Sequence, residues 1–169
     1  MAIIRCTKKL LNELKIKPTE DIGRSENIGN WHANLLWIDR RKCVLFTNDK
    51  TLYSFFVPAM KKPQFDNFHE TFRLYLFKTV TNENLPLKQM EYLQDANKEI
   101  RIGKTNNRSV VGSMNELAVH VKYSVYDMGG LAAASLTELN YKLNRIPMGA
   151  VYYRFSINEL QKVLTEIDE

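Results

Sequence analysis

The sequence is poor in the features that mark secreted, membrane, metal-binding or hydrolytic proteins. It has only two cysteines, Cys6 and Cys43, each in an apolar, strand-like run with no Cys or His at metal-ligand spacing. That argues against a disulfide scaffold and a structural zinc site, and predicts two reduced core thiols in a cytoplasmic protein. No stretch approaches the ~18 uninterrupted apolar residues that cross a bilayer. The longest, Tyr53 to Met60, is interrupted by Ser54 and Pro58, so no membrane partner is expected. In MAIIRCTKKLLNELK the charges follow the short apolar run, the wrong order for a secretory signal. GxSxG, HExxH and paired-carboxylate motifs are missing, and Gly103 and Gly112 stand nine apart without the following Lys of a Walker A loop. No metal and no cofactor is expected.

What is present is the composition of one globular domain spanning residues 1–169. The 169 residues are 44% apolar and 11% aromatic, enough for a real core. The net charge of +5 is unevenly spread. Residues 1–62 carry 12 Lys and Arg against 6 Asp and Glu, whereas residues 156–169 carry 1 against 4. A second basic excess, 7 against 4, lies within residues 99–155. Such asymmetry suits a polyanionic partner.

The hydrophobic pattern changes period along the chain. AIIRC (2–6) reads as a strand, followed by a short helix with Leu10, Leu11 and Leu14 on one face; KIKPTEDIGRSENIGN (15–30) reads as a loop. WHANLLWID, CVLFTN and TLYSFFVP alternate and are joined by short polar turns, which predicts an antiparallel meander. In WHANLLWID, Trp31, Ala33, Leu35 and Trp37 share one side. Phe65, Phe68, Phe72, Tyr75, Leu76 and Val80 then recur at helical spacing from about Pro63, and Pro86 opens another helix. EIRIG (99–103) alternates as a strand, and Met114, Leu117, Val121 and Val125 predict a helix over 109–128 ending at Gly129–Gly130. Ser135 to Asn144 reads as helical, and Ser156 with Glu159 forms a capping-box pattern for a last helix. The fold class is α+β: a small antiparallel β-meander sheet packed against several helices.

GKTNNRSVVGSMNEL (103–117) holds more hydrogen-bonding side chains than a helix cap needs. Lys104, Thr105, Asn107, Arg108, Ser109, Ser113 and Asn115 are candidate ligands for a phosphate-like anion at a helix N-terminus. Ser109 and Ser113, four apart, share a helical face that Glu116 and His120 continue. The bland alternative is a capped helix whose Asn and Ser side chains satisfy local backbone groups. LNRIPMGAVYYRF adds Asn144 and Arg145 to the same set, with Pro147 and Gly149 fixing a loop that would bring Arg145 alongside; the bland reading there is a rigid connection with two core tyrosines. The DRRKC turn places Arg40, Arg41 and Lys42 beside Trp31, Trp37, Phe46, Tyr53 and Phe55, the ingredients of a nucleic-acid surface, or of a solvated hairpin tip whose aromatics face the core. His32, His69 and His120 are scattered.

The three blocks WHANLLWIDRRKCVLFTNDKTLYSFFVP, GKTNNRSVVGSMNEL and LNRIPMGAVYYRF resemble an uncharacterised prokaryotic domain family, a domain of unknown function. The resemblance covers nearly the whole chain. It implies a compact bacterial or archaeal single-domain protein and no activity, with Arg108, Ser109, Gly112, Ser113, Asn115, Asn144, Arg145, Pro147 and Gly149 as its signature.

Two classes of function follow. The first is a small basic protein that binds RNA or DNA phosphates through Lys104, Arg108, Arg145 and the Arg40–Lys42 tip, of the sort common in toxin–antitoxin, defence and mobile-element settings. Its enzymatic version is a metal-independent endoribonuclease, with Arg108 and Arg145 stabilising phosphate charge and His120 or Ser113 handling a proton. The second is a protein-interaction module, an inhibitor or antitoxin-like partner whose polar loops organise a docking surface.

Overall fold

The alternation in WHANLLWID and CVLFTN produces the two longest strands, β2 (Asn30–Ile38) and β3 (Arg41–Asn48), in the computed structural model, which describes residues 1–20 and 22–169. They pair antiparallel across a two-residue turn in which Asp39 and Arg40 both adopt left-handed backbone, φ 50° and 62°, the geometry that matches strand twist. β4 (Ser54–Val57) pairs antiparallel with β3, completing the expected meander. Two further strands widen it. β1 (Ala2–Cys6) lies parallel to β2, and β5 (Ile100–Lys104) lies parallel to β1, so the sheet is mixed, in the order β4-β3-β2-β1-β5. β1 is buried along its whole length, which is why AIIRC reads as near-continuous apolar sequence.

Both faces of the sheet are covered. One carries Ile4, Trp31, Ala33, Leu35, Val44, Phe46 and Phe55 against α1 (Lys8–Leu14), α2 (Lys62–Asp66), α3 (Phe68–Thr81), α4 (Leu87–Ala96) and α7 (Ser156–Asp168). Trp31 is its anchor: it meets Phe55 and Phe72 edge-on at 5.8 and 5.3 Å, and its indole N–H donates to Asn97 at 2.9 Å. The other face carries Leu36, Ile38, Cys43, Leu45 and Phe56 against α5 (Arg108–Asp127) and α6 (Leu136–Leu143). Met114, Leu117, Val121 and Val125 are buried there, as the 3.6-residue spacing requires.

Local chemistry departs from the sequence expectation in three places. The aromatic helix is broken at Asn67, which leaves helical geometry (φ −111°, ψ 48°) and donates its side-chain N–H to Pro63 O, so α2 and α3 are separate. Trp37 is 56% exposed despite sharing a side with Trp31, and Lys42, its cross-strand neighbour, lies over its ring. Ser156 does not cap α7. Phe155 stands at that position, and the Ser156 hydroxyl instead donates to Asn144 Oδ1 at 3.0 Å.

Among the described residues, no helix is long and apolar enough to cross a membrane and no acidic, His or Cys cluster has metal-binding geometry. Cys6 and Cys43 are both free and buried, and burial raises both thiols above the ordinary range. Native protein should therefore be unreactive toward a thiol reagent that counts two thiols after denaturation; rapid reaction in the native state would contradict this packing.

Candidate nucleic-acid interface

The sheet register lines up one polar row. Gly103, Arg5, His32, Thr47 and Ser54 are successive neighbours from β5 to β4. Strand alternation puts this row on the α5 side, in register with the Leu36–Leu45–Phe56 face. Each polar group in it has a partner. Thr47 and Ser54 hydroxyls are 2.8 Å apart. His32, fully buried, has Nδ1 2.7 Å from Asp49 Oδ1, while its Nε2 accepts the Asn106 backbone N–H at 3.4 Å. That pair of partners selects the Nδ1-protonated tautomer. Beyond Ser54, the Asn144 carboxamide accepts from Ser54 N–H and donates to Ser54 O, both at 2.7 Å, and Asn140 accepts from Phe56 N–H at 2.8 Å.

The GKTNNRS segment crosses the other end of this row. Lys104 is the last residue of β5 and points to solvent, with Thr105 exposed after it. Asn106 sits on His32, and Asn107 caps α5 by accepting Val110 N–H at 3.1 Å. Arg108, Ser109 and Asn115 are exposed on α5, as are Glu116 and His120 farther along. Ser113, one turn from Ser109, is 8% exposed, because it falls at the margin of the buried stripe.

Arg145 is placed elsewhere than beside the α5 start. Its guanidinium grips the Glu83 carboxylate through both terminal nitrogens, at 3.3 and 2.7 Å, donates to Tyr141 O and lies 3.4 Å over the Tyr141 ring. Glu83 is 2% exposed at the side chain and accepts a further hydrogen bond from Tyr53 Oη. Partial burial of Arg145 opposes its charge, but the bonds and charge of Glu83 outweigh it and hold its pKa above the usual value. Tyr152 and Tyr153, core residues in the bland reading of this block, are exposed at left-handed backbone positions.

The hairpin tip is also partly committed. Asp39 accepts Leu131 N–H at 2.7 Å, fastening the tip to the turn after α5. Lys42 pairs with Glu13 at 2.5 Å, while Arg40 and Arg41 are exposed and have no ion-pair partner among the described residues. Of the tip's aromatics, Trp31, Phe46, Tyr53 and Phe55 are buried, and Trp37, with Lys42 over its ring, is the member that remains open to solvent.

A different basic site forms where β1 and β5 end. A cleft of about 570 Å³ is lined by Arg5, Arg24, Lys104, Thr19, Glu20 and Asn106, with Ile22 and Gly23. Arg5 is 9% exposed and, among the described residues, donates only to backbone carbonyls, Lys104 O at 3.2 Å and Gly23 O at 2.5 Å. No carboxylate among the described residues lies within ion-pair distance of Arg5, Arg24 or Lys104. Lys104 and Asn106 thus come from the predicted stretch, whereas Arg5 and Arg24 are additions. The signal for Arg5 was available, since a lone arginine inside the apolar run AIIRC must find buried partners. His32 and Asp49 gave no such signal.

Two measurements check this division of labour. Arg145→Ala should cost about 2–3 kcal/mol in chemical denaturation, because it leaves buried Glu83 without its cation; the figure is discounted for the partial exposure of Arg145. Arg108→Ala should change stability by no more than about 0.5 kcal/mol. The Tyr53 phenol is pushed well above its ordinary pKa by burial and by Glu83. Its proton is retained in the folded state and lost in the unfolded one, so stability should fall as pH rises beyond about 10. A melting temperature flat across that range, or unchanged in Tyr53→Phe at high pH, would contradict this.

No curated protein matches the chain. A family model described as Domain of unknown function (DUF6933) matches residues 3–159. The match spans the polar row, the cleft lining and the Asn144–Arg145 brace alike, and the chain belongs to that family.

Proposed function

We propose that this protein binds the phosphates of RNA or DNA in the cleft at the ends of β1 and β5. The observation that carries the reading is Arg5: a residue nine-tenths buried whose guanidinium borders a cleft, with only carbonyl partners among the described residues. Carbonyls satisfy its N–H groups without cancelling its charge, so an anion seated in the cleft gains a poorly screened attraction. Arg24 and Lys104 add two exposed cations at the same cleft, and a run of phosphates engages all three, where a single small anion does not. Thr19 and Asn106 supply neutral polar contacts, while Glu20, which also lines the cleft, opposes anions and disfavours their wholly non-specific accumulation. Arg40 and Arg41 lie beyond the cleft, on the exposed hairpin tip. Neither Ser113 nor His120 lines the cleft, so the reading is recognition rather than cleavage. Small basic binders of this kind suit toxin–antitoxin, defence and mobile-element settings.

The test is fluorescence anisotropy with labelled single-stranded RNA and DNA over a salt series. Affinity should fall steeply with salt, and Lys104→Ala and Arg24→Ala should each lower the slope of log K against log salt by about 1. Both side chains are exposed, so melting temperatures should hold. Absence of binding at low salt would overturn the reading in favour of a protein-interaction module, as would unchanged slopes in both variants.

A further inference from the structure

A second cavity, of about 450 Å³, shares Arg24 with the basic cleft. The sheet register sets their spacing. Arg5 in the cleft pairs with His32, and Asn30, which lines the second cavity, precedes His32 by two residues on β2, about 7 Å along the strand. The two spaces differ in chemistry. Among the described residues the cleft lining has three cations against Glu20 alone. The second cavity has Glu26, Asp49 and Glu166 against Arg24 and Lys50. Its apolar wall comes from buried Ile28, half-buried Tyr92 on α4 and Ile167 on α7. Asp49 is fixed in place: its backbone N–H donates to Asn30 O at 2.9 Å, and its Oδ1 takes the His32 Nδ1–H at 2.7 Å. Its Oδ2 has no partner among the described residues, where no partnerless side-chain oxygen is sealed from solvent. That oxygen is therefore an open acceptor on a side chain only 15% exposed.

We propose that this cavity takes one unpaired base of the strand whose phosphates lie in the cleft, and that it selects a base with an exocyclic amino group. The inference rests on the phosphate reading of the cleft and adds a base preference to it. A ligand spanning both spaces must be anionic at one end and neutral, partly apolar and N–H-donating at the other, which is the make-up of a nucleotide. Arg24, common to both linings, is placed to meet the phosphate between them. The three carboxylates repel phosphate, so the backbone stays on the cleft side and the base is the part that enters. Tyr92 gives the base an aromatic wall, a contact that every base can make. Selection falls to the carboxylates, which only accept hydrogen bonds. Cytosine presents an amino group to them where uracil presents a carbonyl oxygen, and that oxygen is repelled. Asp49 is the leading acceptor, because its hold on His32 leaves one oxygen committed and the other aimed by the first.

Fluorescence anisotropy of the full chain with three labelled strands of equal length tests this: oligodeoxycytidine, oligodeoxyuridine and an abasic deoxyribose-phosphate strand. Oligodeoxycytidine should bind at least about fivefold more tightly than oligodeoxyuridine, and both more tightly than the abasic strand. The slope against salt should be the same for all three, because their phosphates are the same. Asp49→Asn should bring oligodeoxycytidine down toward oligodeoxyuridine. Glu166→Gln, at an exposed position, should narrow the same gap with the melting temperature unchanged, so the test does not depend on a variant that touches His32. Equal affinity for all three strands overturns the base site and leaves the phosphate cleft standing. So does a cytosine preference that both Asp49→Asn and Glu166→Gln leave intact, since the base then sits elsewhere. No binding of any strand at low salt overturns both readings together.

Discussion

The edge of β4 is the place where the architecture closes. Its backbone N–H and C=O groups have no strand beyond them, and an open edge of a largely apolar sheet invites non-native pairing. Asn140 and Asn144, four apart on α6, take the place of that missing strand. Asn144 accepts from and donates to the Ser54 backbone, and Asn140 accepts from Phe56 N–H. A carboxamide has the same donor–acceptor pair as a peptide unit, so Asn144 bonds both the N–H and the C=O of Ser54 as a strand would. Several features hang on this clamp. It fixes α6 against the sheet and seats Ser156 on the Asn144 carboxamide. It also delivers Arg145, the next residue, to the buried carboxylate of Glu83. The LNRIPMG block is therefore structural in its first residues, whatever the protein binds.

The same satisfaction rule, applied across the sheet, generates the candidate site. Placing Arg5, His32, Thr47 and Ser54 in one row under α5 would be costly unless every polar atom found a partner. Thr47 and Ser54 satisfy each other, and His32 is spanned by Asp49 and the Asn106 backbone. Arg5 is satisfied as a donor but not neutralised by the carbonyls it contacts. The row therefore grades from a closed structural network at β4 to an open, positively charged end at β1 and β5. The gradient follows from where helices lie: α5 and α6 seal the β2–β4 half of this face, and residues 22–24, with Arg24, approach the other half.

What could be read in the sequence was what depends on near neighbours. Periodicity gave the meander and the buried face of α5, because three- and four-residue spacings and strict alternation are local properties. The parallel pairings of β1 were not legible, since β5 lies nearly a hundred residues away and AIIRC alone does not say which strands flank it. The break at Asn67 was hidden because the aromatic spacing continues across it and only backbone geometry reveals the interruption. Within the candidate site the division is similar. Lys104 stood out because it sits in a polar run, whereas His32, Asp49 and Asn106 meet across separations of 17 and 74 residues that no local pattern encodes. Arg145 misled for an instructive reason: a conspicuous arginine in a rigid loop is equally well placed to hold a buried carboxylate as a ligand, and only Glu83 decides between them.

The His32–Asn106 bond places the loop between two surfaces that would otherwise be independent. Lys104, two residues before Asn106, borders the cleft, and Arg108, two residues after it, starts the exposed face of α5. Asn106 is held from below by a buried imidazole whose other nitrogen is fixed by Asp49, and Asn107 is held by its cap to Val110. With both central residues tied, the loop has little freedom to shift Lys104 relative to Arg5 or to tilt the first turn of α5. The polar excess of GKTNNRS is thus not a single ligand shell. Its middle residues fasten the chain to the sheet and the helix, and that fastening sets the positions of the cations on either side.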